Sequence, residues 1–114
     1  MYTHDSGSGE QAMEIYADGP RLALAGDFDV RSTWQVRNAL YEHLAHHPED
    51  VILDLSGVTT IDVTALRVLA VASRYAVGHG HHLTLRGCQP AVRRLMLISR
   101  LNRLVEIEPL RVSA

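Results

Sequence analysis

Several side chains in this 114-residue sequence have types and spacings that could carry chemistry. Asp27 and Asp29 flank Phe28, a carboxylate pair of the kind general acid–base catalysis uses. No base or nucleophile accompanies them in a catalytic motif, and Asp29 has a simpler use as a helix cap. Six of the seven histidines fall in two clusters: His43, His46 and His47, then His79, His81 and His82. His43 and His47 stand four apart, the spacing that lets two imidazoles on one helix face share a metal. No Glu-rich zinc motif accompanies them, and Cys88 is the only cysteine. The clusters therefore read as solvated histidines near helix ends, where the cationic form suits a C-terminus, and no metal is expected. Arg93, Arg94, Arg100 and Arg103 could form a basic patch, but no aromatic residues interleave them. A solvated face or partner-facing rim fits them better than a nucleic-acid site. A phosphate-binding Gly loop, a Ser-His-Asp order and a dinucleotide fingerprint are all missing.

The elements that must position these groups can be read from periodicity. Met13, Ile15 and Ala17 alternate with Glu14 and Tyr16, as in a strand. Asp18-Gly19-Pro20 is a turn signal, and Leu22 and Leu24 then alternate up to Gly26, so the first two strands predict a hairpin. Asp29 or Ser32 can cap a helix running to about His46, with Val36, Leu40 and Leu44 on one stripe and Trp34 and Tyr41 on an adjoining one. Val51 to Leu55 reads as a central strand covered on both faces, and Ser56 to Ile61 as a loop. Asp62 is a good N-cap for the next helix, because its carboxylate can accept the Ala65 amide. Leu66, Leu69, Ala70 and Val77 follow helical spacing, and Gly78 and Gly80 bracket the end. Leu83 to Leu85 is a short strand, Pro90 opens a helix with Ala91, Leu95 and Ile98 on its stripe, and Val105 to Ile107 is a closing strand.

The order β-β-α-β-α-β-α predicts an α/β fold, a mixed β-sheet of about four or five strands with three or four helices packed mainly on one face. Residues 1–9 read as a flexible tail and 10–114 as one domain. Apolar residues make up 46% of the chain, ample for a core, and the formal charge of −2 gives no long-range pull toward nucleic acid or anionic membrane. A lone thiol, no secretory leader pattern and no apolar run of membrane-spanning length make a cytoplasmic protein the default. All eleven basic residues are arginine, which fits a GC-rich bacterial genome.

One segment carries a resemblance. A buried strand ending in Asp54-Leu55-Ser56, a short connection, and Asp62-Val63-Thr64-Ala65-Leu66 opening a helix resemble the signature of STAS domains, the family of anti-sigma factor antagonists. Gly26-Asp27-Phe28-Asp29 upstream, and Pro90 to Leu95 with Ser99-Arg100-Leu101 downstream, are similar to further parts of the family pattern, so the resemblance covers roughly residues 10–108. It implies a non-enzymatic domain without cofactor that regulates transcription by partner switching, often in stress responses. The partner would be an anti-sigma factor of the serine-kinase type, with no nucleic acid and no membrane insertion, and a homodimer is allowed. The docking residues implied are Asp27, Asp29, Ser56, Thr60, Asp62, Val63, Thr64, Ala65 and Leu66.

This chain departs from the family at the residue that normally accepts phosphate from the kinase. That position is Val63, which has no hydroxyl. A phosphate there would meet free amides at a helix N-terminus and repel the partner by its charge. With valine, either docking is constitutive or control has moved to a nearby hydroxyl, of which Thr64 is the one in the capped turn; Ser56, Thr59 and Thr60 are weaker candidates. The alternative reading is a non-phosphorylated STAS scaffold or an accessory subunit of a stress-signalling or lipid-transport complex.

Overall fold

The computed structural model describes residues 12–47 and 49–108, so the expected tail at 1–9 lies outside the described residues. Strands β1 (Glu14–Asp18) and β2 (Arg21–Phe28) pair antiparallel through a two-residue turn in which Gly19 takes φ 59°, a conformation glycine adopts without a Cβ clash. Three strands then add in parallel, β3 (Val51–Ile61), β4 (Leu83–Arg86) and β5 (Glu106–Ile107), giving the sheet order β1-β2-β3-β4-β5. Each parallel step is made through a helix: α1 (Thr33–His46), α2 (Val63–Gly78) and α3 (Pro90–Ser99), the last followed by a single 3₁₀ turn, Leu101–Arg103.

One cluster forms the core. Leu22, Leu24 and Phe28 of β2, Val51, Leu53, Leu55 and Val58 of β3, and Leu83 and Leu85 of β4 meet Val36, Leu40 and Leu44 of α1. Leu66 and Leu69 of α2 and Val92 and Met96 of α3 also belong to it. Each such side chain, fully buried, contributes about 1.5–3 kcal/mol relative to exposure, which is why all three helices gather on this face.

The opposite face corrects the expectation that β3 is covered on both sides. There Ile52 is only half-buried and Asp54 accepts from the Arg21 guanidinium at 3.0 Å. Arg86 of β4 reaches Glu108, just past β5, at 3.0 and 3.2 Å. Burial opposes ionisation of Asp54, but the Ser56 amide and hydroxyl and Arg21 outweigh it and hold the carboxyl below its ordinary value.

Two helix stripes also differ from expectation. On α2, Leu66, Leu69 and Ala70 are buried but Val77 is exposed. On α3, Val92 and Met96 face the core and Leu95 is half-buried, while Ala91 and Ile98 point outward. Apolar residues surround this ten-residue helix, so two stripes fit its spacing, and contact with β3 and α2 selects one of them.

Candidate functional site

The carboxyl ends of β2 and β3 and the start of α2 meet at one end of the sheet. β3 reaches that end because it does not stop at Leu55. It continues to Ile61, so the segment expected as a loop is strand: Ala25 pairs with Gly57, Gly26 with Val58, Asp27 with Thr60 and Phe28 with Ile61. Register shifts between Ala23 and Ala25 and between Gly26 and Asp27 break strict alternation, and Val58 alone in the polar stretch 56–60 turns into the core.

Asp62 locks the junction. Its backbone is extended, its Oδ1 accepts from the Ala65 amide at 2.8 Å, and its Oδ2 accepts from the Val30 amide at 3.1 Å. The first bond caps α2, as expected; the second ties the β2–α1 connection to the same carboxylate. Asp27 sits beside it in the sheet, its Oδ1 accepting from the hydroxyls of Thr59 at 2.8 Å and Thr60 at 3.0 Å, with the Arg31 guanidinium 3.8 Å from its Oδ2. Arg31 pairs more closely with Asp29, at 2.6 Å, and this bond holds the Asp29 carboxyl below its ordinary value. Ser32 precedes α1 but makes no side-chain cap; its hydroxyl bonds to the Asp27 and Asp29 carbonyls.

The first turn of α2 divides by side. Val63 is 39% exposed and Thr64 is exposed, while Ala65 and Leu66 are buried against the core. Both lie beneath the exposed residues of the turn, although the resemblance implies them among the docking residues. Ser56 stands apart as well: its hydroxyl donates to Asp54 at 2.7 Å and its carbonyl accepts from Gln89 at 3.0 Å, toward the β4–α3 connection. Thr59, Arg31 and Val30 are exposed beside Asp27 and Asp62, though none was singled out as a docking residue from sequence. Thr59 was visible as a neighbouring hydroxyl, whereas Val30 and Arg31 lie in a connection with no periodic signal.

A half-open cavity of about 410 Å³ lies elsewhere, between the β1–β2 hairpin and α1, lined by Ile15, Leu22, Glu42, His43 and His46 among others. The His43 and His47 rings stack there at 4.1 Å, and the Nδ1 atoms of His46 and His47 bond to backbone carbonyls one turn back. Among the described residues, no group of three or more His, Cys, Asp or Glu side chains is placed to hold a metal ion. Cys88 is buried, which pushes its thiol up and away from thiolate chemistry. No helix among the described residues is long and apolar enough to cross a membrane.

A mixed sheet with helices on one face, and an exposed, carboxylate-capped helix start at its strand ends, defines the class: a small α/β domain. The chain belongs to the STAS family: the family model described as "Mlab, STAS domain" matches residues 12–106. A STAS-domain containing protein of Pseudomonas aeruginosa (strain UCBPP-PA14) is 33% identical over 93 residues, covering 80% of this chain and 91% of the relative. Among solved structures, an anti-sigma factor antagonist from Mycobacterium paratuberculosis superposes with a TM-score of 0.71 at 19% identity, over 87% of this chain and 86% of that one. The Bacillus cell fate determinant SpoIIAA in its phosphorylated form gives 0.61 at 13% identity, over 86% and 92%. At such identities what is shared is the fold.

Proposed function

We propose that this protein is an anti-sigma factor antagonist that acts by binding and not by catalysis, docking Asp62, Val63 and Thr64, with Asp27, Asp29 and Thr60 behind them, onto an anti-sigma factor of the serine-kinase type. The observation that supports this most directly is the exposed first turn of α2, held in place by the Asp62 carboxylate. Val63 occupies the position of the usual phosphoacceptor, so docking is constitutive there: no phosphate can be added to repel the partner. Such a domain needs no cofactor, works in the cytoplasm, and frees the sigma factor whenever it captures the kinase.

The test is binding and phosphate transfer with the cognate kinase. Wild type binds and is not labelled. Val63→Asp, a substitution that suits a first helical turn, keeps the fold and loses the complex; Val63→Ser becomes labelled. Labelling of wild type that disappears in Thr64→Ala would move the switch to Thr64. A Val63→Asp variant that binds as wild type would remove this surface from consideration.

A second reading has one observation in its favour. The missing hydroxyl at Val63 equally suits a STAS scaffold or an accessory subunit of a stress-signalling or lipid-transport complex, where phosphorylation has no part. Co-purification with transporter subunits and not with a sigma regulator would select it.

A further inference from the structure

The start of α2 is continuous with a larger exposed face. Because the Val30 amide bonds to Asp62, Val30 lies beside the first turn of α2, and Trp34, four residues on, stands in the first turn of α1. Trp34 is the only tryptophan of the chain and is 68% exposed. The face continues to Arg37, whose guanidinium lies 5.4 Å from the Tyr41 ring, and on to Tyr75 of α2, whose ring meets Tyr41 edge-on at 4.9 Å. Val71, Arg67 and Arg74 are exposed on α2. An indole left in water forgoes the roughly 25 cal/mol per Å² that burial would return, so a free Trp34 is unusual for a folded domain.

Charge indicates what covers this face. α1 and α2 carry Arg37, Arg67 and Arg74 against the single carboxylate Glu42, and α2 has none. Among the described residues no salt bridge engages these three arginines. The carboxylates nearest the start of α2 are already engaged, Asp29 by Arg31, Asp27 by two threonines, and Asp62 by two amides.

We propose that the α1–α2 face is the second half of the docking surface, receiving an acidic face of the partner protein whose apolar pocket takes the Trp34 indole. This rests on the docking reading above and adds the partner's chemistry to it. Tryptophan, tyrosine and arginine are the residue types that dominate interface hot spots, and a guanidinium receives a carboxylate through two parallel bonds. Arg37, Arg67 and Arg74 supply the charge, and Trp34 supplies the anchor.

A single tryptophan makes the test direct. The full chain, labelled with 5-fluorotryptophan, is titrated with the anti-sigma serine kinase and followed by fluorine NMR, in which the partner is silent. The expected result is a shifted Trp34 resonance protected from solvent in the complex, affinity that falls as salt rises, and losses of about tenfold or more in Trp34→Ala and in Arg67→Glu/Arg74→Glu. These positions are exposed, and circular dichroism checks that each variant is folded. If Val63→Asp abolishes binding while Trp34→Ala and the arginine reversals bind as wild type, docking at α2 stands and this extension falls. If wild type forms no complex, both fall. If phosphatidylglycerol vesicles alone protect the indole, the face belongs to a lipid surface and the proposal is overturned.

Discussion

Asp62 does two jobs with one carboxylate. Capping the α2 amide at Ala65 stabilises the helix, and accepting from Val30 fixes the β2–α1 connection against it. Removing both bonds in Asp62→Ala should lower stability by about 1–2 kcal/mol, read as a lower denaturant midpoint; a midpoint equal to wild type would show that the cap carries no weight. Arg100 matters at the same scale through its backbone. It ends α3 with φ 62°, the only non-glycine among the described residues at positive φ. A Cβ in the left-handed region is strained by about 1–2 kcal/mol, partly offset because arginine orders less backbone than glycine on folding. Arg100→Gly should therefore raise stability by about 0.5–1 kcal/mol, and a fall in thermal midpoint would contradict this account.

At the scale of elements, β3 decides where Asp62 and the start of α2 sit. Its second half pairs with β2 across two register shifts, and close packing of the two backbones there depends on Gly57. A Cβ on Gly57 would lie 2.9 Å from the Ala25 Cβ and 3.0 Å from the Leu24 carbonyl oxygen. Gly57→Ala should destabilise by about 1–3 kcal/mol by forcing the strands apart. Gly78 is the control: a Cβ there meets nothing within 4 Å, so Gly78→Ala at the end of α2 should be neutral or stabilising by up to about 1 kcal/mol. Equal effects at the two glycines, measured by urea unfolding, would refute the close-approach argument.

At the scale of the whole molecule, charge is segregated by layer. The three helices, the 3₁₀ turn and Arg100 between them hold seven arginines and one glutamate, while ten of the eleven described carboxylates lie on strands and connections. A net charge near zero therefore hides a basic helical face. The histidines add a pH dependence of determinable sign. His43 is 7% exposed, and burial, then the neighbouring His47, push its imidazole below the ordinary 6.5. Between the depressed folded pKa and 6.5 the unfolded chain binds more protons, so His43 contributes fully above 6.5 and its contribution is lost as pH falls below it. His82 has the opposite sign: Glu106 raises its pKa, so its contribution is present below the unfolded value and lost as pH rises through the folded one. That pair is solvent-screened and weak, so His43 dominates. The urea midpoint should drop between about pH 7.5 and about pH 5.5, and the drop should shrink in His43→Gln; a flat wild-type profile would contradict the assignment.

Local patterns in the sequence were enough for the element order, the Asp62 cap, the Pro90 helix start and the Val36, Leu40, Leu44 stripe, because capping, turn chemistry and helical period act within a few residues. Only the tertiary structure decided that residues 56–61 are strand, since their pairing depends on β2 and on shifts that erase alternation. It alone turned Ala65 and Leu66 inward, left Trp34 in water, and chose which of two apolar stripes on α3 meets the core. The physical reason is common to all three: a helix with apolar residues on several sides fixes its own spacing, but which side is buried depends on neighbours far away in the chain.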